Sequence, residues 1–173
     1  MVKKFAEEWC FMEEEKSKKL KVCFICSSGG HYTELSKLQA ISKQYESFLV
    51  TEKIDNLNDT FCKKTYFVKN INRREKLFIF RFLALCIKEF FIFLKEKPTH
   101  VITTGALCAY PFVKIAKIFR KKVIYIESYA RVYDLSLTGK KIYKLADLFF
   151  VQWPELAELY PNAIYTGSFF GDK

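Results

Sequence analysis

Short apolar runs alternate along this chain with stretches whose apolar side chains recur every three or four positions. The runs are KVCFIC (Lys21 to Cys26), SFLVT (Ser47 to Thr51), TYFV (Thr65 to Val68), HVITTG (His100 to Gly105), KVIYIE (Lys122 to Glu127), LFFVQ (Leu148 to Gln152) and AIYTG (Ala163 to Gly167). Each is bounded by charge or by Gly, Ser and Pro and predicts a buried strand. Leu35, Leu38 and Ile41 fall at helical intervals after His31. A long helix is predicted from about Arg73 to Lys95, closed by Pro98, with others over about Tyr110 to Phe119, near Lys140 to Ala146, and after Pro154. Such alternation predicts an α/β fold, a Rossmann-like parallel sheet with helices on both faces. Right-handed crossovers then put the C-terminal strand ends along one edge, where open parallel sheets bind ligands. Residues 1–20 form an amphipathic or flexible leader with Val2, Phe5, Trp9 and Met12 at helical spacing, and residues 21–173 a single domain.

Composition narrows the class. Half of the 173 residues are apolar and only 6 are Gly and 4 Pro, as in a folded globular chain. The net charge of +10 favours a phosphorylated substrate, anionic lipid or nucleic acid as partner. No aromatic-basic recognition motif is present, which disfavours nucleic acid. The six cysteines (Cys10, Cys23, Cys26, Cys62, Cys86, Cys108) lie mostly inside apolar stretches and read as reduced thiols. Cys23 and Cys26 have C-x-x-C spacing, but on a strand they point to opposite faces, so a shared metal or disulfide is not expected. With two histidines far apart, no zinc cluster is predicted and no metal is assigned.

The long helix changes the picture again. LFIFRFLALCIKEFFIFL (Leu77 to Leu94) carries Arg81, Lys88 and Glu89 in its middle, too costly for a spanning segment. Arg74, Arg81, Lys88 and Lys95 are seven apart and predict one basic stripe beside an excess of Phe, Ile and Leu, with Phe78 and Phe82 among them. Between Lys69 and Lys97 eight Lys or Arg face three Glu. A core helix with a solvated stripe is the plain reading; a helix lying on an anionic membrane surface fits the composition better.

Three loops at the predicted ligand edge carry candidate chemistry. Ser27, Ser28, Gly29 and Gly30 join the first strand to its helix, where amides and the positive helix end suit a phosphate. The loop is neither a dinucleotide fingerprint nor a Walker loop, and a tight turn explains it as simply. His31 follows and could accept a proton from a hydroxyl attacking an electrophilic carbon. Thr104 and Gly105 repeat the arrangement after the fourth strand, as further amide donors or as a plain connection. In IESYARV, Glu127 is placed to orient His31 or a hydroxyl and Arg131 to pair with phosphate, or the two form a structural ion pair.

SSGGHYTEL, ITTGALCAYPF, YIESYARVYDLSLTGKKIYKLADLFFVQWPEL and YPNAIYTGSFF resemble the acceptor-side subunit of two-piece glycosyltransferases. These are the PssD and CpsF type proteins of bacterial capsule and exopolysaccharide synthesis. Their eukaryotic counterpart is the membrane-anchored subunit of the UDP-GlcNAc transferase of dolichol-linked oligosaccharide assembly. The resemblance covers about Lys21 to Phe170. It implies the N-terminal half of a GT-B glycosyltransferase, with the donor-binding C-terminal half on a separate partner. It also implies transfer from a UDP-sugar, held mainly by that partner and with no other cofactor, to a polyprenyl-diphosphate-linked sugar at the cytoplasmic membrane face. By likeness to the single-chain enzyme that adds GlcNAc to lipid-linked muramyl peptide, Gly29 and Gly30 would bind acceptor phosphate and His31 would be the base. Two readings follow: a subunit that supplies acceptor site and base, or a non-catalytic scaffold that recruits the catalytic subunit.

Overall fold

The computed structural model describes residues 20–53, 60–72 and 74–171; the leader expected before Leu20, with Cys10, lies outside them. Seven strands form one sheet: β1 (Lys21–Cys26), β2 (Glu46–Glu52), β3 (Thr65–Val68), β4 (His100–Thr103), β5 (Lys122–Ile126), β6 (Leu148–Val151) and β7 (Ala163–Tyr165). Their order is β3-β2-β1-β4-β5-β6-β7, and every pairing is parallel. The strand order reverses between β1 and β4, the switch point that opens a crevice at the C-terminal strand ends.

Among the described residues six helices lie between the strands: α1 (Gly30–Ser36), α2 (Gln39–Gln44), α3 (Phe78–Glu96), α4 (Ala109–Ile118), α5 (Leu137–Ile142) and α6 (Pro154–Leu159). Side chains alternate between two buried layers. Cys23, Ile25, Val101, Val123 and Tyr125 pack with α3 to α6, while Val22, Phe24, Cys26, Ile102 and Ile124 pack with Leu35, Leu38 and Ile41 on the other face. Cys23 and Cys26 therefore fall on opposite faces, as the strand period requires, and Cys23, Cys26, Cys62, Cys86 and Cys108 are free thiols.

Three helix bounds differ from the periodicity. The helix after β1 breaks at Lys37–Leu38, where both amides bond three residues back, Lys37 N–H to Glu34 O and Leu38 N–H to Leu35 O. α5 starts earlier than expected because Ser136 caps it, its Oγ accepting from Gly139 N at 2.9 Å. α3 starts at Phe78 rather than near Arg73. The Asn72 side chain accepts from Arg74 N at 3.0 Å and Phe78 N–H bonds Glu75 O, holding that segment in turns. Arg74 is therefore off the helix, and the predicted four-residue basic stripe is reduced to Arg81, Lys88 and Lys95. The helix ends with Lys97 in the left-handed region ahead of Pro98.

α3 packs one face on the sheet through Leu85, Glu89, Ile92, Phe93 and Glu96. Ile79, Phe80, Leu83, Ile87, Phe91 and Leu94 lie on the opposite face and are exposed, Ile79 and Phe80 by more than 70%. Phe78 and Phe82, expected among the outward residues, stack on each other and are half-buried. Arg81 pairs with Glu75, Lys88 Nζ donates to Phe67 O at 2.6 Å, and Lys95 Nζ lies 5.8 Å from the Tyr66 ring. The basic stripe thus turns toward the β3 edge and flanks the apolar face. No helix among the described residues is long and apolar enough to cross a membrane.

Candidate functional site at the switch point

The C-terminal ends of β1, β4 and β5 bring the three predicted loops to one edge of the sheet. Gly29 precedes α1 with φ 76° and ψ −137°, a backbone conformation that glycine adopts freely. A Cβ at Gly29 or Gly30 would meet nothing within 4 Å, so the space above the turn is open. The opening turn of α1 has no side-chain cap, leaving the amides of Gly30, His31 and Tyr32 to solvent or a ligand. Ser28 is differently engaged. Its N–H and Oγ both donate to Glu52 Oε2, at 3.4 and 3.2 Å, and Asn70 Nδ2 donates to the same oxygen at 2.8 Å. Ser27 Oγ makes only a long contact, 3.4 Å, to Ser28 O.

His31 is half-buried, and its Nδ1 is buried without a hydrogen-bond partner. Burial lowers its pKa below the ordinary histidine value; the neighbouring Thr104 backbone and the Glu52 carboxylate oppose that shift, and Arg131 adds to it. The ring is therefore neutral at pH 7 and able to take a proton. Thr104 is fully buried, and its hydroxyl donates to His31 O at 2.8 Å, pinning the β4 loop to the start of α1. Gly105 N donates to Thr103 Oγ1 at 2.9 Å, which removes that amide as a ligand donor. Gly105 (φ 103°) is required for close approach, since a Cβ there would lie 2.7 Å from Tyr125 Oη. Ala106 follows at φ 74°, a strained value for a residue with a side chain.

Glu127 is fully buried at the end of β5. It accepts from Ser128 N (2.9 Å), Ser136 N (3.0 Å), Ser136 Oγ (3.1 Å) and Tyr125 Oη (3.3 Å). Burial pushes its carboxyl up, and these donors hold it back. No hydrogen bond or ion pair joins it to His31 or Arg131 among the described residues. It organises the 128–136 loop from beneath instead of facing the crevice, and the expected orienting contact with His31 and ion pair with Arg131 are not formed. Arg131 is exposed, and its guanidinium has no ion-pair partner among the described residues.

Two further carboxylates, Glu34 and Glu52, shape the site. Glu34, buried on α1, accepts from Ser128 Oγ (3.0 Å), Tyr129 N (3.2 Å) and Gln152 Nε2 (3.0 Å), tying α1 to the Arg131 loop and to the end of β6. Gln152 also donates to Glu127 O and accepts from Phe169 N, both at 3.0 Å. Glu52 was legible as a charged residue closing an apolar run at the ligand edge. Glu34 sits among polar helix residues and had no such signal. No three His, Cys, Asp or Glu side chains among the described residues cluster to hold a metal ion.

A parallel sheet of this order, with glycine turns at its switch point, is a Rossmann-like fold, and solved structures share it. MurG of Acinetobacter baumannii superposes with a TM-score of 0.66 at 14% identity, over 86% of this chain and 46% of that one. A UDP-N-acetylglucosamine 2-epimerase does so with 0.68 at 16%, over 87% and 49%. This chain thus spans about half the length of those proteins. The family described as Alg14, "Oligosaccharide biosynthesis protein Alg14 like", matches residues 69–169, and the chain belongs to it. It is 31% identical to the UDP-N-acetylglucosamine transferase subunit ALG14 of Yarrowia lipolytica, over 91% of this chain and 84% of that protein. The human subunit of the same name is 28% identical over 90% and 86%.

Proposed function

We propose that this chain is the acceptor-binding, membrane-associating subunit of a two-piece UDP-sugar glycosyltransferase that elongates a polyprenyl-diphosphate-linked saccharide. A separate subunit, equivalent to a GT-B C-terminal half, brings the donor. The names of the sequence relatives favour N-acetylglucosamine and lipid-linked oligosaccharide assembly; they lend no support to a capsule or exopolysaccharide setting.

The observation that carries this reading is His31, a half-buried imidazole kept neutral by burial, which follows an open glycine turn and feels the charge of Arg131, itself without an ion-pair partner among the described residues. In this reading the amides of Gly29 and Gly30, with Arg131, hold the acceptor diphosphate. Ser27 borders that cradle, whereas Ser28, Thr104 and Gly105 fix the loops around it. The acceptor hydroxyl attacks the anomeric carbon of the donor sugar, the carbon–oxygen bond to UDP breaks, and His31 takes the hydroxyl proton. The exposed apolar face of α3, flanked by Arg81 and Lys88 and preceded by Arg74, rests on the cytoplasmic membrane face and sets the crevice at the depth of the lipid headgroups.

The test reconstitutes His31→Ala with its partner subunit. Transfer lower by about a hundredfold or more, with the complex intact, is expected of a general base. Full transfer by the intact complex would instead support the recruiting scaffold.

A further inference from the structure

Beside the contact between Glu52, at the end of β2, and Ser28, in the turn after β1, a cavity of about 370 Å³ opens between the end of β3 and the flank of α3. Lys69, Asn70, Arg81 and Lys88 supply its polar wall, and Ile71 and Leu85 are among its apolar lining. Two of the three basic groups are held in place. Lys88 is fixed by its 2.6 Å bond to Phe67 O and Arg81 meets Glu75 through one terminal nitrogen; among the described residues the other two N–H donors of Lys88 and the rest of the Arg81 fork have no partner. Lys69 has no ion-pair partner among the described residues, and Asn70 gives one N–H to Glu52 and keeps the other. Three cations against the two neighbouring carboxylates, Glu75 and Glu52, leave the pocket positively charged. Its α3 wall is continuous with the exposed apolar face of Phe80, Leu83 and Ile87.

We infer that this cavity is a phosphate-binding site for a membrane lipid, separate from the acceptor cradle at Gly29 and Gly30. The basic side chains reach a phosphate while the acyl chains continue along the apolar face of α3. The site rests on the membrane-facing reading of that helix. Asn70 links it, through Glu52, to Ser28 and so to the turn that precedes His31. The phosphate it takes is that of a bilayer phospholipid, since the acceptor diphosphate is held at the glycine turn.

The experiment measures binding of the full chain to phosphatidylcholine vesicles doped with phosphatidic acid, and to dihexanoyl phosphatidic acid below its micelle concentration. Each basic side chain at a lipid headgroup contributes about a fivefold factor, so Lys69→Gln with Arg81→Gln should weaken vesicle binding about thirtyfold. Lys43→Gln with Lys63→Gln removes the same charge from α2 and from the N-terminal end of β3 and should change it by less than about threefold. Lys69→Arg with Arg81→Lys should keep the affinity, which separates lost charge from lost fold. Equal losses from both neutralised pairs, or none from the first, would overturn the pocket while leaving membrane association standing. Failure of the unaltered chain to bind vesicles, with saturable binding of the short-chain lipid retained, would sink the membrane reading and leave the phosphate site. Displacement by the short-chain lipid but not by inorganic pyrophosphate is expected; displacement by pyrophosphate would overturn the separation of this site from the acceptor cradle.

Discussion

Glu89 lies on the buried face of α3, fully inaccessible, with neither carboxylate oxygen hydrogen-bonded among the described residues. Burial pushes its pKa well above the carboxylate range, opposed in part by the Phe112 backbone. The folded protein therefore holds a proton that the unfolded chain has released once the pH passes about 4.5. Stability falls as pH rises from there up to the folded pKa, by about 1.4 kcal/mol per pH unit from this group. Glu89→Gln removes the titration and keeps the shape. Its advantage over the parent should be small near pH 5 and grow by about 1.4 kcal/mol with each unit, or about 3–6 °C in melting temperature for a domain of this size. Glu89→Leu should exceed Glu89→Gln by about 1–3 kcal/mol at every pH, since it also removes the unpartnered polar group. Thermal melts of all three proteins at pH 5, 6 and 7 provide the assay, since other titrating groups cancel in the difference. Parallel stability profiles for the parent and Glu89→Gln would show that the carboxyl is ionised and partnered, and would refute the account.

Three other outcomes are expected. Gly139→Ala places a Cβ in overlap with the Glu127 carboxylate, which must withdraw from Ser136; calorimetry should show a loss of about 2–4 kcal/mol despite alanine's better helix propensity. Glu96 is buried, which favours the protonated acid, but bonds from Lys64 (2.5 Å), Tyr66 and Lys21 (2.9 Å) outweigh that and bring its pKa down to about 2. Its contribution is complete above pH 4.5 and disappears as the pH falls toward 2, so Glu96→Gln should cost on the order of 2 kcal/mol at pH 6 and little at pH 2 in urea titrations. Burial lowers the His31 pKa, so the acid limb of the transfer-rate profile should fall below the ordinary histidine value near 6.5; a limb above it would mean that the imidazole is stabilised as a cation.

Alternation of short apolar runs with helical periods was enough to place all seven strands, because the central strands are buried on both faces and read as short apolar runs, and the edge strands β3 and β7 keep the same brevity between turn signals. The two-residue period separated Cys23 from Cys26, and right-handed crossovers fixed which loops share an edge. What the chain does with those loops was decided by how the folded loops close on themselves and by contacts far apart in sequence. Glu127 turns inward because Ser128, Ser136 and Tyr125 converge on it, while Glu34 and Glu52 hold the site together through residues as distant as Gln152 and Asn70. The charges on α3 share a period in sequence, yet only the packed helix shows that Lys88 reaches the β3 edge and that the apolar side opposite the core is left uncovered. Periodicity is a property of neighbours along the chain and survives in the sequence. The partner of a buried carboxylate or a lysine is chosen by folding, when desolvation makes an unmet polar group costly and only the three-dimensional neighbours can meet it.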